Sequence, residues 1–185
     1  RNAMDEMETK PPYDDLRWRL IYPLHHYDTV LKYKGHSNPI ILQSILKEES
    51  HFNPYAQSGV GASGLMQLMP KTYLEVAKYN NISEDIFDAN NNIKAGSIYY
   101  TNLKKPFGNK DLYAISAYNG GIGSVTSWIS KLAYSDTDEF VEQIPYPETK
   151  NYVKKVLRSY WVYFTDESGI TGHIYGSCQV YYGGK

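Results

Sequence analysis

Glu49-Ser50, followed after a short polar stretch by Gly59-Val60-Gly61-Ala62-Ser63-Gly64-Leu65-Met66-Gln67-Leu68-Met69-Pro70, decides the reading of this chain. Upstream, Ser37-Asn38-Pro39 offers a cap residue and a proline at a first helical position, and the run from Ile40 to Glu49 contains no breaker. At about 100° per residue, Ile41, Leu42, Ile45 and Leu46 form one apolar stripe. Glu49 falls near the middle of that stripe, four residues after Ile45. Glu48 lies a quarter turn away at its edge, and Gln43 and Lys47 mark the face expected to meet water.

An acid on an apolar face at a helix C-terminus is disfavoured as a carboxylate twice, by desolvation and by the negative end of the macrodipole. Its pKa is expected to rise from the reference of about 4.3. A carboxyl that stays protonated near neutral pH is a general acid. The alternative is a helix that ends at Glu49 with the carboxylate turned out to water.

The chain has 185 residues, 42% of them hydrophobic and 21% charged, which suits a single domain with one core. A net charge of -1 with mixed signs, and no basic run, excludes a general nucleic-acid surface. No apolar stretch reaches the roughly 18 residues that a membrane span needs. The first residues hold no export signal, and Arg1-Asn2-Ala3 before Met4 reads as a non-native remnant. With Cys178 the only cysteine, no internal disulfide forms. The histidines 25, 26, 36, 51 and 173 lack zinc-type spacing, so neither metal nor cofactor is expected. Tyrosine is abundant, 19 residues against 5 Phe and 3 Trp, and its apolar ring with a polar tip suits half-wet grooves that hold sugar rings.

Along the chain, residues 1–13 read as a flexible N-terminal arm, 14–165 as the domain, and 166–185 as a tail of uncertain structure. A helix is expected up to about Lys34, ended by Gly35, then one over 39–49. Thr72-Tyr73-Leu74-Glu75 matches a capping box opening a helix to about Tyr79, with Pro70 stopping the segment before it. A helix over 92–104 follows, then one over 112–118 capped by Asp111. A second glycine-rich turn, Asn119-Gly120-Gly121-Ile122-Gly123, precedes a helix over 124–132, and Pro147 opens a long final helix. A short strand is expected only within 173–182. The domain is thus mainly α with little β structure.

Glu49-Ser50, Gly61-Ala62-Ser63-Gly64-Leu65-Met66-Gln67-Leu68-Met69-Pro70 and Ala117-Tyr118-Asn119-Gly120-Gly121 resemble, in order and spacing, the three signatures of the soluble lytic transglycosylase catalytic domain. Ile144-Pro145-Tyr146-Pro147-Glu148-Thr149-Lys150-Asn151-Tyr152-Val153 resembles the branch related to the large periplasmic soluble enzyme. The resemblance implies a lysozyme-like fold and cleavage of the β-1,4 bond between N-acetylmuramic acid and N-acetylglucosamine in peptidoglycan, leaving 1,6-anhydromuramic ends. It also implies glycan strands as partner, a monomer, and a periplasmic or extracellular site of action in the cell envelope.

Carried over residue by residue, the resemblance makes Glu49 the single catalytic acid. Ser63 and Gln67 match groove residues that bond sugar or hold the oxocarbenium-like state, and Met66 matches a groove wall, with core packing the alternative. Gly64 lets the backbone approach substrate. Tyr118 directs its hydroxyl at Glu49, with a core role the alternative. Asn119 binds an acetamido group or pins its turn. Glu148 contacts substrate or merely complements the helix dipole. Ser50 and Tyr152 are orienting or structural, Ser50 as a hydroxyl satisfying the helix end. Ordinary glycosidases use two carboxyls, and no second one is evident here. Two other readings stay open: a hydrolytic muramidase of goose-lysozyme type, and a non-catalytic peptidoglycan-binding module.

Overall fold

A computed structural model of the chain describes residues 20–170, the side chains of 165–170 excepted. It contains helices α1 (Tyr27–Tyr33), α2 (Pro39–Ser50), α3 (Pro70–Asn80), α4 (Ala89–Lys104), α5 (Asp111–Gly120), α6 (Ile122–Lys131), α7 (Thr137–Gln143) and α8 (Pro147–Ile170), with a 3-10 turn at Lys105–Phe107. Among the described residues there is no strand, only isolated bridges joining Gln57 to Ser63 and Ser63 to Leu68. The fold is therefore mainly α, as the periodicity indicates. The short strand expected within 173–182, the arm 1–13 and Cys178 lie outside the described residues, and α8 runs on past 165 to Ile170.

Helix α2 is the axis of the molecule. Asn38 caps it, its Oδ1 accepting from the Ile40 N–H at 2.9 Å, and Pro39 occupies the first position. His51 closes it in a left-handed conformation with its N–H on the Lys47 carbonyl. Every residue from Ile40 to Lys47 is buried, which differs from the expected amphipathic pattern. The side chains of Gln43 and Lys47 do not face water, because residues 22–25 and α8 cover that side. Gln43 Nε2 donates to the His25 carbonyl at 3.1 Å, and Lys47 Nζ lies 4.4 Å from the Tyr22 ring centre. Local periodicity does not foresee a helix wrapped on all sides, because the covering segments come from elsewhere in the chain.

Around α2 the main core gathers Ile41, Leu42, Ile45 and Leu46 with Ile93, Tyr100, Ala114, Ile115, Val153 and Val156. Removing one such Leu or Ile to Ala costs about 2–5 kcal/mol. A smaller cluster of Leu68, Tyr73, Val76, Ala77, Ile82 and Ala95 holds α3 to α4, and Tyr118 touches both clusters.

Three local expectations are corrected. Helix α3 begins at Pro70, whose fixed φ suits the first position, so Thr72 lies inside the helix and caps nothing. Asp111 is the first residue of α5 and not its cap; its carboxylate accepts from Tyr100 Oη at 2.7 Å and pairs with Lys104 at 2.8 Å. Helix α7, absent from the expected elements, is capped by Asp136, whose Oδ1 accepts from the Glu139 N–H.

Candidate active site

The carboxyl of Glu49 sits at the last turn of α2, partly covered, where α5 and α8 converge. Burial is the main cause that pushes its pKa up to about 7; the neighbouring charges of Glu48 and Glu148 add to the rise, and Tyr152 opposes it. The expectation of a protonated acid at a helix C-terminus thus acquires a structural basis.

Tyr152, on α8, has a hydroxyl buried from solvent and aimed at Glu49. The contact is loose, short of closed hydrogen-bond geometry, and the hydroxyl has no other partner among the described residues. Glu148 stands one turn earlier on the same helix and thus on the same face as Tyr152. It is exposed, and its charge is among those that act on Glu49.

The hydroxyl of Tyr118 does not point its proton at Glu49. It donates to the Met66 carbonyl at 2.8 Å, because that carbonyl, buried in the glycine-rich turn, has no helix or sheet partner. Burial first, and the Glu49 charge second, raise the Tyr118 hydroxyl well above the usual phenol range, so it stays neutral beside the acid.

The glycine-rich segment is a scaffold more than a row of substrate ligands. Met66 is fully buried and packs onto Gly96, where a Cβ would meet its sulfur at 2.3 Å. Of the two readings for Met66, core packing is the one found. Ser63 is buried too, and its hydroxyl donates to the Gly61 carbonyl at 3.1 Å. Gln67 spends both amide hydrogens on the carbonyls of Ala56 and Gly64, at 3.0 and 2.9 Å. Gly64, at φ +80, gives close approach to Asn92 and Ile86, not to an open groove: a Cβ there would lie 2.2 Å from Asn92 Nδ2.

Asn92 is the residue that sequence reasoning missed. It is 1% exposed; its Oδ1 accepts from the Met66 N–H at 2.8 Å, and its Nδ2 donates to the carbonyls of Ser63 and Ile86 at 3.2 and 2.8 Å. The available signal was its position on one stripe with Gly96 and Tyr100, a polar residue on an apolar face like Glu49 itself.

Asn119 pins its turn: its Oδ1 accepts from Thr149 Oγ1 at 2.6 Å, joining α5 to the first turn of α8. Gly121, at φ +81, lets the chain leave α5 and re-enter α6 immediately. Ser50 satisfies the end of α2, donating to the Leu46 carbonyl and accepting from the Phe52 N–H, both at 3.1 Å. Among the described residues no group of three or more His, Cys, Asp or Glu is placed to hold a metal, and no helix is long and apolar enough to cross a membrane.

Fold and site together define an all-α domain of lysozyme-like type with one acid raised toward neutrality at the end of its central helix. Residues 29–141 match the transglycosylase SLT domain, and the chain belongs to that family. It is 37% identical over 153 residues to the soluble lytic murein transglycosylase of Escherichia coli K12, covering 77% of this chain and 24% of that protein. It is 32% identical over 160 residues to a putative soluble lytic murein transglycosylase of Haemophilus influenzae, covering 84% of this chain and 27% of that one. The chain thus spans about a quarter of the length of these curated relatives. Among solved structures, an inactive mutant of the lytic transglycosylase Slt from Pseudomonas aeruginosa superposes with a TM-score of 0.76 at 31% identity, over 91% of this chain and 28% of that one. The 70-kDa soluble lytic transglycosylase in complex with bulgecin A does so at 0.76 and 30%, over 89% of this chain and 28% of that one.

Proposed function

We propose that this domain is a peptidoglycan lytic transglycosylase that cleaves the β-1,4 bond between N-acetylmuramic acid and N-acetylglucosamine and leaves a 1,6-anhydromuramic end. The observation that carries the reading is the state of Glu49, a carboxyl pushed up to about 7 and therefore able to give a proton and take one back near neutral pH. Family membership and the relatives' names support the substrate class.

In the first step the Glu49 carboxyl donates its proton to the glycosidic oxygen as the bond from that oxygen to muramic C1 breaks, and the N-acetylglucosamine side leaves as an alcohol. Positive charge develops at C1 and its ring oxygen. In the second step the muramic C6 hydroxyl attacks C1, its proton passing to the Glu49 carboxylate, which closes the 1,6-anhydro ring and restores the acid. No water is consumed. Positioned proton transfer of this kind is worth about 10²–10⁴-fold.

Tyr152 orients the carboxyl and Tyr118 holds the glycine-rich turn against α5. Glu148, exposed on the first turn of α8, is the residue we assign to substrate contact, and Asn119 combines its structural bond to Thr149 with an acetamido contact. For Ser63, Gly64, Met66 and Gln67 we propose a framing role, because their side chains are committed within the protein. The domain acts as a monomer on glycan strands in the cell envelope. Glu48, the other acid on α2, is clamped by Lys47 and Ser159, so it is not free to position a hydrolytic water.

Mass spectrometry of muropeptides released from purified sacculi tests this reading. Wild-type products lighter by one water than their reducing-end equivalents, and absent with Glu49→Gln, are expected. Reducing ends throughout would establish the hydrolytic muramidase, and glycan binding without turnover the binding module.

A further inference from the structure

Tyr55 lies between the end of α2 and the glycine-rich turn, six residues after Glu49, and the proposed chemistry does not use it. It is 75% exposed, while Phe87, just before α4, is half-buried; their ring centres stand 6.3 Å apart with planes tilted by 34°. A single exposed aromatic is ordinary on a protein surface. This one stands on a backbone fixed at each step. The Asn53 N–H donates to the Ser50 carbonyl at 3.0 Å, the Ala56 N–H to the Asn53 carbonyl at 3.2 Å, and the Tyr55 N–H to Asn53 Oδ1 at 3.0 Å. The Ala56 carbonyl then accepts both the Gly64 N–H at 2.9 Å and Gln67 Nε2 at 3.0 Å.

We propose that Tyr55, backed by Phe87, is an aromatic platform for one sugar ring of the glycan strand, a subsite away from the bond that is cleaved. The inference rests on the reading of this chain as a glycan-cleaving enzyme.

Two successive turns, each closed by a bond from residue i+3 back to residue i, keep the Ala56 Cα within about 14 Å of the Ser50 Cα. A short oligosaccharide bound at Glu49 spans that distance. Phe87 joins the same scaffold from another segment: the Ile86 carbonyl accepts from Asn92 Nδ2 at 2.8 Å, and Asn92 also holds the Met66 N–H. Both rings therefore stand on backbone tied to the glycine-rich turn, so little chain entropy remains to be lost on binding. A ring that served only to cover Phe87 would hide its own surface as well, whereas Tyr55 leaves most of its surface in water. A β-linked pyranose carries its polar groups at its rim and C–H groups on its faces, the surface that an aromatic ring covers.

The test is a binding titration of the Glu49→Gln chain with N-acetylglucosamine oligomers of increasing length, followed by NMR of the Tyr55 ring and repeated with Tyr55→Ala or Tyr55→Phe added. The Tyr55 ring signals are expected to shift and saturate. Tyr55→Ala should weaken binding of the longer oligomers by about three- to ten-fold, with the urea midpoint nearly unchanged because the ring is exposed. Tyr55→Phe, which keeps the ring, should retain most of the affinity. Affinities that Tyr55→Ala leaves unchanged for every oligomer, a Tyr55→Phe variant that binds as weakly as Tyr55→Ala, or ring signals that move only with a wall peptide overturn the inference. The titration needs no turnover, so it is independent of the products: anhydro ends with an unmoved ring sink this inference alone, and a moved ring with hydrated ends sinks only the proposed reaction.

Discussion

The hydroxyl of Tyr118 donates to the carbonyl oxygen of Met66 at 2.8 Å, across 52 residues of sequence. It joins the second glycine-rich signature to the first. The Met66 N–H is held by Asn92 at the same time, so the peptide groups on both sides of this residue are fixed from two different helices.

Tyr118→Phe keeps the ring and removes the donor. It should destabilise the domain by about 1–3 kcal/mol through the carbonyl it leaves unpaired, read as a lower urea midpoint with an unchanged m-value. Activity should fall through looser placement of the turn, with anhydro products retained.

Gly64→Ala should be more damaging than its size suggests. The residue is at φ +80, and the new methyl would sit 2.2 Å from Asn92 Nδ2 and 2.7 Å from the Ile86 carbonyl. The expected loss is on the order of 3 kcal/mol, measured by chemical denaturation. Gly59→Ala, where no atom lies within 4 Å and φ is not positive, is the control and should cost little.

Glu49 links activity and stability to pH. Its carboxyl must be protonated in the free enzyme, so the alkaline limb of kcat/KM should fall at about 7. Between its ordinary value of 4.5 and about 7 the folded state holds a proton that the unfolded state has lost. Stability therefore falls as pH rises through that window and levels off above it, by about 3 kcal/mol in all. Glu49→Gln removes the dependence. The variant should be more stable than wild type at pH 8, with the difference closing below pH 4.5, and inactive at both. Equal stabilities across that range would contradict a buried, raised acid.

Glu148→Gln removes an exposed charge on the substrate side. We expect KM on glycan strands to rise several-fold with a smaller change in kcat, the pattern of lost binding common to ground and transition states. The alkaline limb should fall only slightly, and that shift should disappear at high salt, because the carboxylate is solvent-screened.

How much of this was legible in the sequence follows from the range of each interaction. The place of Glu49 on the stripe of Ile41, Ile45 and Leu46 needs only the pitch of one helix, and the long helix opened by Pro147 needs only local rules. The motif around Ser63, Met66 and Gln67 stands out in the sequence; whether a given side chain faces sugar or protein does not. That depends on Asn92 and Gly96, some thirty residues away, which no local pattern couples to the turn. The burial of Gln43 and Lys47 is hidden for the same reason, since residues 22–25 and α8 supply the cover. Helix α7 is seven residues long, too short for its period to stand out, although Asp136 and Glu139 carry its cap.

In the proposed reaction Glu49 serves both steps and the muramic C6 hydroxyl takes the place of water. Digestion of sacculi in water enriched in heavy oxygen tests it most directly, with the newly formed muramic ends examined by mass spectrometry. Ends that carry no label and lack one water are expected. Label at C1 of the new ends would contradict it, and would require a second group that activates water beside Glu49.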